Sequence, residues 1–328
     1  MTDRGDPPPA PSPSYGLSPL QEGMLFEVLL RDPAGKTAGF DIEQLEVELG
    51  ADIEPALLQR AFTLVVNRHA ALASRFHWSE GAAPVQSVAA SVEVPVEVED
   101  FGALEPAAVA ATAGAFLARD RARGFRLGEA PLHRVTVLRA LGRARAFVWT
   151  FHHIVLDGHS FAPVLAEVFQ AYAALERREP VELPAAPRPF RDFIDWLALQ
   201  DSSAGRAYFR ELLRDKTPTP LPGAEPGARR LAATGCGTVT RSVSPELGAR
   251  IDELARRSGT TPNTVLQAAW AVVLARFTGE EDVVFGAARH GRGVALGGEA
   301  RHMIGLFTNT VPVRARLDQA ATVTELLR

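Results

Sequence analysis

The chain has 328 residues, of which 46% are apolar, and its 35 basic and 39 acidic side chains give a net charge of −4. These values fit a globular protein of one or two domains, and they exclude the basic footprint of a nucleic-acid-binding protein. The single cysteine, Cys236, excludes an internal disulfide framework and a cysteine-based zinc cluster, and it fits a reducing cytoplasm. No apolar run approaches the roughly 18 residues that a membrane-spanning helix needs.

The first half of the chain alternates predicted helices and strands. Residues 1–14 form a Pro-rich, flexible lead-in, and apolar side chains at helical spacing predict a helix over 19–30. The segment 40–49 predicts a strand, and Asp52 is placed to cap a helix that runs to about His69. The further predicted elements are a strand at 92–98, a helix at 106–123, strands at 132–140 and 145–153, and helices at 161–178 and 190–215.

The composition changes after this half. The Pro- and Gly-rich stretch 216–237 predicts a linker between two lobes, 15–215 and 238–328. Strands mixed with helices in this way indicate the α/β (α+β) class. The elements predicted after the linker are a strand at 238–243, helices at 245–258 and 262–277, a strand at 282–288, a Gly-rich loop at 291–298, a strand near 306–313 and the start of a further helix.

The segment FHHIVLDGHS, residues 151–160, ends a predicted strand with two histidines and an aspartate. Successive side chains of a strand point to opposite faces, so His152 and His153 cannot both face one cavity while the strand continues. Acid–base chemistry is the sharpest interpretation, because histidine has the ordinary pKa closest to neutral pH. A buried strand end with satisfied histidines stays open as the alternative, and a metal site is less favoured.

The residues after the histidines fit a turn that leads into a helix. Gly158 would permit a tight turn and a close backbone approach to a substrate. Asp157 would fold back at this turn and fix the loop. We expect Ser160 to cap the helix 161–178 rather than to act as a nucleophile.

Five segments, in order along the chain, resemble the motifs of condensation domains of nonribosomal peptide synthetases. HHIVLDG at 152–158 resembles the core motif, although wax-ester synthases and other acyltransferases of the same fold carry similar ones. Ala70, Ser74 and Phe190 depart from the commoner Glu, Thr and Tyr. The other four segments are SPLQEGMLF at 18–26, NRHAALASRF at 67–76, FRDFIDWL at 190–197 and IGLFTNTVPVR at 304–314.

The resemblance implies a chloramphenicol-acetyltransferase-like fold, a two-lobed sandwich with a substrate tunnel between the lobes. The family has two further motifs for which the chain shows no counterpart after Arg314. We therefore expect an incomplete second lobe with an exposed apolar face.

The resemblance also implies the reaction. Condensation domains join a donor aminoacyl or peptidyl thioester to the α-amine of an acceptor amino acid, and both substrates are held on the 4′-phosphopantetheine arms of carrier domains. The domain itself binds no cofactor. The implied partners are donor and acceptor peptidyl carrier domains and a downstream adenylation domain, with no nucleic acid and no membrane.

The resemblance implies roles for particular residues. His153 is the catalytic histidine that faces the tunnel, and His152 supports it by packing inward. Asp157 is structural and pairs with an arginine from the other lobe, for which Arg292 is the first candidate and Arg289 the second. Asn309 lines the tunnel, or else it is a loop-end residue that satisfies backbone groups.

The first motif and Leu156 are closer to the subgroup that takes a D-configured donor and an L-configured acceptor. Because only the short lead-in precedes the first motif, we expect the donor to arrive on a separate protein. Two alternatives stay open. One is a CoA-dependent acyltransferase of the same fold, similar to wax-ester synthases, and the other is a non-catalytic fragment that docks carrier domains.

Overall fold

The computed structural model describes residues 14–104, 106–216, 219, 239–293, 295–317 and 322–327. The chain divides into two compact units. The first comprises the residues up to Gln200 together with His290–Asn309, and the second comprises Asp201–Arg289 together with the residues from Thr310 onward. The predicted lead-in at 1–14 and the predicted linker at 216–237 lie almost entirely outside the described residues.

The first unit contains the strands β1 (Ile42–Glu48), β2 (Ser74–His77), β3 (Val85–Val88), β4 (Val96–Asp100), β5 (His133–Ala140) and β6 (Arg143–His152). A four-stranded mixed sheet forms the centre of this unit, in the order β1-β6-β5-β4. The central strand β6 pairs antiparallel with β1 and β5, while β4 runs parallel to β5. A separate two-stranded sheet pairs β2 with β3.

Helices cover both faces of this sheet, which explains why β6 is almost continuously apolar. On one face, the Phe62 ring of a helix lies 5.9 Å from the Phe147 ring and 5.8 Å from the Trp149 ring. On the other face, Phe116 packs in a cluster with Val148. The helices of this unit are α1 (Pro19–Arg31), α2 (Pro55–Arg68), α3 (Pro106–Arg123), α4 (Gly158–Arg177) and α5 (Phe190–Ala198).

The second unit contains a two-stranded sheet and helices. Leu266, Trp270 and Phe277 on one of these helices are exposed. No helix in the described part of the chain has the length and apolar character needed to cross a membrane. The elements are α6 (Ser203–Leu212), α7 (Pro245–Arg257), α8 (Pro262–Thr278), β7 (Asp282–His290), β8 (Thr308–Arg316) and α9 (Val323–Leu326). Strands β7 and β8 pair with each other, and each has one end in the first unit.

The prediction that Asp52 caps a helix was wrong. Helix α2 begins at Pro55 with Glu54 as its N-cap, and Glu54 makes no side-chain capping bond. The Asp52 carboxylate instead accepts from the Ala144 backbone N–H at 2.7 Å, at the turn between β5 and β6. A tertiary contact therefore takes the side chain that the local pattern assigned to the helix.

The strand predicted at 92–98 is shorter and begins at Val96. The backbone N–H groups of Val92 and Val94 donate to the Asn67 and Thr63 side chains of α2, at 2.8 and 3.1 Å, so they are not part of a sheet ladder. The alternation of buried residues there arises from packing against a helix.

Three other predictions of secondary structure needed correction. The helix predicted at 190–215 is two helices, because Asp201 accepts from the Ser203 backbone N–H and hydroxyl and starts α6 anew. The part of 238–243 that the structure describes contains no strand. Strands β2 and β3 were missed, since four residues each are too few for a periodic signal. The mixture of helices and strands confirms the α/β (α+β) class.

Candidate active site

The two histidines lie at the point where β6 ends. His152 is the last residue of β6, and a single 3₁₀ turn, His153–Val155, follows at once. The His152 backbone N–H donates to the Leu132 carbonyl at 3.0 Å, while the His153 backbone N–H donates to the Asp41 carbonyl at 2.8 Å. The end of the strand therefore separates the two imidazoles.

His152 is completely buried. Its Nδ1 accepts from the Ile154 backbone N–H at 3.1 Å, so the ring proton is on Nε2, which has no partner among the described residues. Burial, with a smaller effect of His153, lowers the pKa of His152 to about 3. A histidine that stays neutral throughout the working pH range packs as an apolar support rather than transferring protons.

His153 is only partly buried. Its Nδ1 lies 2.7 Å from the Leu156 carbonyl oxygen, and since a carbonyl can only accept, the ring proton is on Nδ1. The tautomer is therefore fixed with the lone pair on Nε2. This nitrogen can take a proton, which is what a general base requires.

Asp157 is completely buried, and both of its carboxylate oxygens accept hydrogen bonds. Arg292 Nη2 donates to Oδ1 at 2.7 Å, and the Ser160 hydroxyl lies 3.2 Å from the same oxygen. The Phe307 backbone N–H donates to Oδ2 at 3.0 Å, and the Thr308 hydroxyl lies 3.5 Å away. A buried carboxylate with this many partners is a fixed structural element.

The structure places Arg292, and not Arg289, against Asp157. Arg292 is buried and belongs to the same compact unit as Asp157, whereas Arg289 is exposed on β7. Arg292 Nη1 also donates to the Ala300 and Met303 carbonyls. Its guanidinium lies 4.0 Å from the centre of the Phe307 ring.

The predicted role of Ser160 as a helix cap was wrong. Helix α4 begins at Gly158, so Ser160 lies inside its first turn, and its hydroxyl contacts Asp157, Arg292 and Gly305. Gly158 has no positive φ and is the first residue of the helix, so the turn between β6 and α4 does not need the conformational freedom of glycine there. A Cβ atom at Gly158 would meet nothing within 4 Å.

Gly305 is a site residue that the sequence analysis missed. Its φ is +154°, and a Cβ atom there would come within 2.3 Å of the Phe190 ring. Its carbonyl accepts from the Asp157 backbone N–H at 3.1 Å, and its N–H donates to Ser160 at 3.2 Å. Gly305 lies in the motif IGLFTNTVPVR, from which the sequence analysis selected only Asn309. Asn309 itself is exposed on β8.

The arrangement combines a rigid support with one accessible base. Asp157, Arg292, Ser160 and Gly305 fix the turn between β6 and α4, and this turn carries the Leu156 carbonyl that sets the His153 tautomer. Such a site can accept a proton from a nucleophile that a bound substrate supplies.

Solved structures with the same fold include the first condensation domain of the calcium-dependent antibiotic synthetase. Its TM-score is 0.75 at 24% identity, over 96% of this chain and 73% of that one. The epimerization domain from the third module of tyrocidine synthetase B gives a TM-score of 0.77 at 18% identity, over 96% of this chain and 70% of that one. At these identities the likeness shows the fold alone, and it confirms the chloramphenicol-acetyltransferase-like fold.

Sequence comparisons identify the family. The family model described as "Condensation domain" matches residues 12–328. One of the linear gramicidin synthase proteins of Brevibacillus parabrevis is 36% identical over 310 residues, which are 93% of this chain and 4% of that protein. Bacitracin synthase 3 of Bacillus licheniformis is 32% identical over 317 residues, 96% of this chain and 5% of that protein.

The chain therefore belongs to the condensation domains of nonribosomal peptide synthetases, which are acyltransferases that form peptide bonds. This confirms the prediction made from the five motifs. The chain spans only 4–5% of the length of the two curated relatives named above.

Proposed function

We propose that this domain forms an amide bond between a donor aminoacyl or peptidyl thioester and the α-amine of an acceptor amino acid. Both substrates are presented on the 4′-phosphopantetheine arms of peptidyl carrier domains, and an adenylation domain loads the acceptor. The observation that carries the proposal is the state of His153, a part-exposed imidazole whose Nδ1 is bonded to the Leu156 carbonyl and whose Nε2 can take a proton.

The reaction needs an amine with a free lone pair. An α-amine has a pKa of about 7.7–8.0, so a fraction of the amine molecules is already neutral near neutral pH. As the C–N bond forms, His153 Nε2 accepts the proton that the nitrogen loses. The C–S bond then breaks, His153 passes the proton to the leaving thiolate, and the resulting thiol remains on the donor's carrier arm. His153 orients the amine as well, since proximity of two tethered reactants contributes up to about 7–11 kcal/mol.

The other site residues act on His153 or on the substrates. Asp157 and Arg292 hold the turn that carries the Leu156 carbonyl, and His152 packs beneath it. The open space at Gly158 would let a substrate approach the start of α4, and Asn309 would line the substrate tunnel.

The substrates and setting can be proposed more finely. The motif SPLQEGMLF and Leu156 favour a D-configured donor and an L-configured acceptor. The reaction would take place in the cytoplasm. Separately purified carriers loaded with D- or L-donors test the handedness, and faster condensation of the L-donor would contradict the subgroup.

The test of the reaction is a single-turnover assay of the full-length synthetase with loaded donor and acceptor carriers. We expect His153→Ala to lower the rate of amide formation by at least ~10²-fold, the lower end of what a general base contributes. The matched control is His77→Ala, which removes an exposed imidazole at the end of β2 that is hydrogen-bonded to Ser87. A near-normal rate for His153→Ala would contradict the role, and a preference for free acyl-CoA over the donor carrier would favour a CoA-dependent acyltransferase.

A further inference from the structure

Asp41 lies beside His153 at the edge of the candidate active site. The backbone hydrogen bond from His153 to Asp41 lies one residue beyond the last pair of the β1–β6 ladder, which joins Ile42 to His152. Asp41 has a φ of +52° and His153 begins the 3₁₀ turn, so both lie just past the ladder, and His153 is near enough to the Asp41 carboxylate to lower its pKa. Ile42 and His152 are buried, whereas Asp41 and His153 are both partly exposed.

The Asp41 carboxylate has an unmatched oxygen. Oδ2 is shielded from solvent and has no hydrogen-bond partner among the residues that the structure describes. Buried polar atoms in native proteins are nearly always paired, so an exception calls for a functional explanation. Burial raises the pKa of Asp41, and His153 and then Arg31 lower it in part, while Glu43 and Glu27 raise it further.

Arg31 does not satisfy this carboxylate because its guanidinium is bound elsewhere. Arg31 Nη1 donates to the Glu27 carbonyl at 2.8 Å and to the Glu27 carboxylate at 3.1 Å, and the guanidinium lies 3.8 Å from the centre of the Phe40 ring. Glu43, two residues along β1, is exposed and adds a further negative charge. The surroundings of Asp41 are therefore suited to receive a cation.

We propose that the Asp41 carboxylate binds the ammonium form of the acceptor's α-amine and holds it next to His153. This assignment rests on the proposed function, which makes that amine the nucleophile. Near neutral pH an amine with a pKa of about 7.7–8.0 arrives largely as a cation, and a charge-assisted hydrogen bond to a carboxylate is the strong way to hold it.

The proton then leaves in a defined order. One ammonium proton passes to His153 Nε2 and on to solvent, which frees the amine lone pair. The neutral amine forms the C–N bond and the C–S bond breaks. His153 Nε2 accepts the second proton that the nitrogen loses as the C–N bond forms, and it transfers this proton to the leaving thiolate, which gives the thiol. Asp41 exchanges no proton in this sequence, so its function is to bind the cation.

A structural role for Asp41 has to be separated from this binding role. Its φ is +52°, a conformation that Asp and Asn both adopt more readily than most residues. Asp41→Asn therefore keeps the shape and the backbone conformation and removes the charge. The control Glu43→Gln removes a neighbouring charge from the same strand.

The test compares two non-reacting probes on the full-length protein, S-(2-aminopropyl)pantetheine and S-propylpantetheine, which are thioether analogues of the alanyl thioester and of its des-amino counterpart. We expect Asp41→Asn to weaken binding of the amine probe by at least ~10-fold, because a hydrogen bond to a charged group is lost. Binding of the des-amino probe should change by less than about twofold. Glu43→Gln should change neither by more than about twofold, and Asp41→Glu should retain part of the preference for the amine.

Two results would overturn the proposal. One is an equal loss of affinity for both probes in Asp41→Asn, which is the signature of a structural role. The other is a wild-type protein without preference for the amine probe. Because binding is measured without a donor, the result is independent of amide formation, so a failure of the proposed reaction would be recognised separately.

Discussion

The two ends of the segment from His153 to Asp157 are built in opposite ways. At one end, Asp157 is fully buried and both carboxylate oxygens accept bonds, from Arg292, Phe307 and other groups. At the other end, His153 is part-exposed with one side-chain bond, and the neighbouring Asp41 keeps a buried oxygen without a partner among the described residues. The Asp157 end is saturated in the sense that both carboxylate oxygens are bonded, although Arg292 Nε has no partner among the described residues. Such a carboxylate is held in one geometry, whereas a part-exposed side chain with few bonds can contact a substrate.

The protein contains a second buried Asp–Arg ion pair besides that of Asp157 and Arg292. Asp120 and Arg134 are also buried and paired at 2.6 Å, and Asp120 accepts further bonds from Gln44 and Thr150. Hydrogen bonds from Arg134, Thr150 and Gln44 outweigh the effect of burial and lower the pKa of Asp120. This pair joins α3 to the sheet and lies outside the HHIVLDG segment, so what distinguishes Asp157 is its place next to the part-exposed histidine.

The largest expected effect is on stability at the saturated end. Asp157→Ala leaves the Arg292 guanidinium buried without its counter-ion, and breaking a buried pair in this way costs about 3–5 kcal/mol of unfolding free energy. His153→Ala removes a part-exposed side chain and should cost less than about 1 kcal/mol. Denaturant unfolding of the two variants measures the difference. Equal unfolding midpoints for the two variants would contradict the structural role of Asp157 and would indicate that it acts in the reaction instead.

A smaller effect is expected from the glycine that borders the network. Gly305→Ala places a Cβ atom 2.3 Å from the Phe190 ring at a φ of +154°, and such overpacking costs about 1–3 kcal/mol. The matched control is Gly158→Ala, where a Cβ meets nothing within 4 Å and the helix start favours alanine. Thermal melts should separate the two, and Phe190→Leu combined with Gly305→Ala should recover part of the loss. Without that recovery, the close approach to Phe190 is not the cause.

At pH values close to neutral, the smallest effect is the pH dependence that buried histidines set. Burial lowers the pKa of His152 to about 3 and that of His133 to about 4, from the ordinary 6.5. The unfolded chain therefore binds more protons below pH 6.5, and each histidine lowers the unfolding free energy by up to about 1.4 kcal/mol per pH unit as the pH falls toward its folded pKa.

Urea unfolding at a series of pH values tests this dependence. His152→Asn should flatten the acid side of the stability curve down to about pH 3, and His133→Asn should flatten it only down to about pH 4. If the stability of His152→Asn depended on pH with the wild-type slope, His152 would not be kept neutral by burial. That result would contradict its assigned role as a neutral packing residue.

The sequence by itself determined the local features of this protein. Apolar side chains at helical spacing predicted α1, and the apolar run 146–151 became the central strand between two layers of helices. The HHIVLDG motif marked His153, His152 and Asp157. These features depend on neighbours within a few residues, so periodicity and a short motif are enough to predict them.

Only the tertiary structure decided how these side chains are paired. Arg292 reaches Asp157 across 135 positions of sequence, and Gly305 reaches Ser160 across 145. Ser160 was assigned to a helix cap because its local pattern allows one, and a long-range network overrode that preference. The environment of Asp41 depends on the pairing of β6 with β1 and on the charge of Arg31 at the end of α1. Hydrogen bonding and burial depend on which distant segments meet in space, and spacing along the chain does not contain that information.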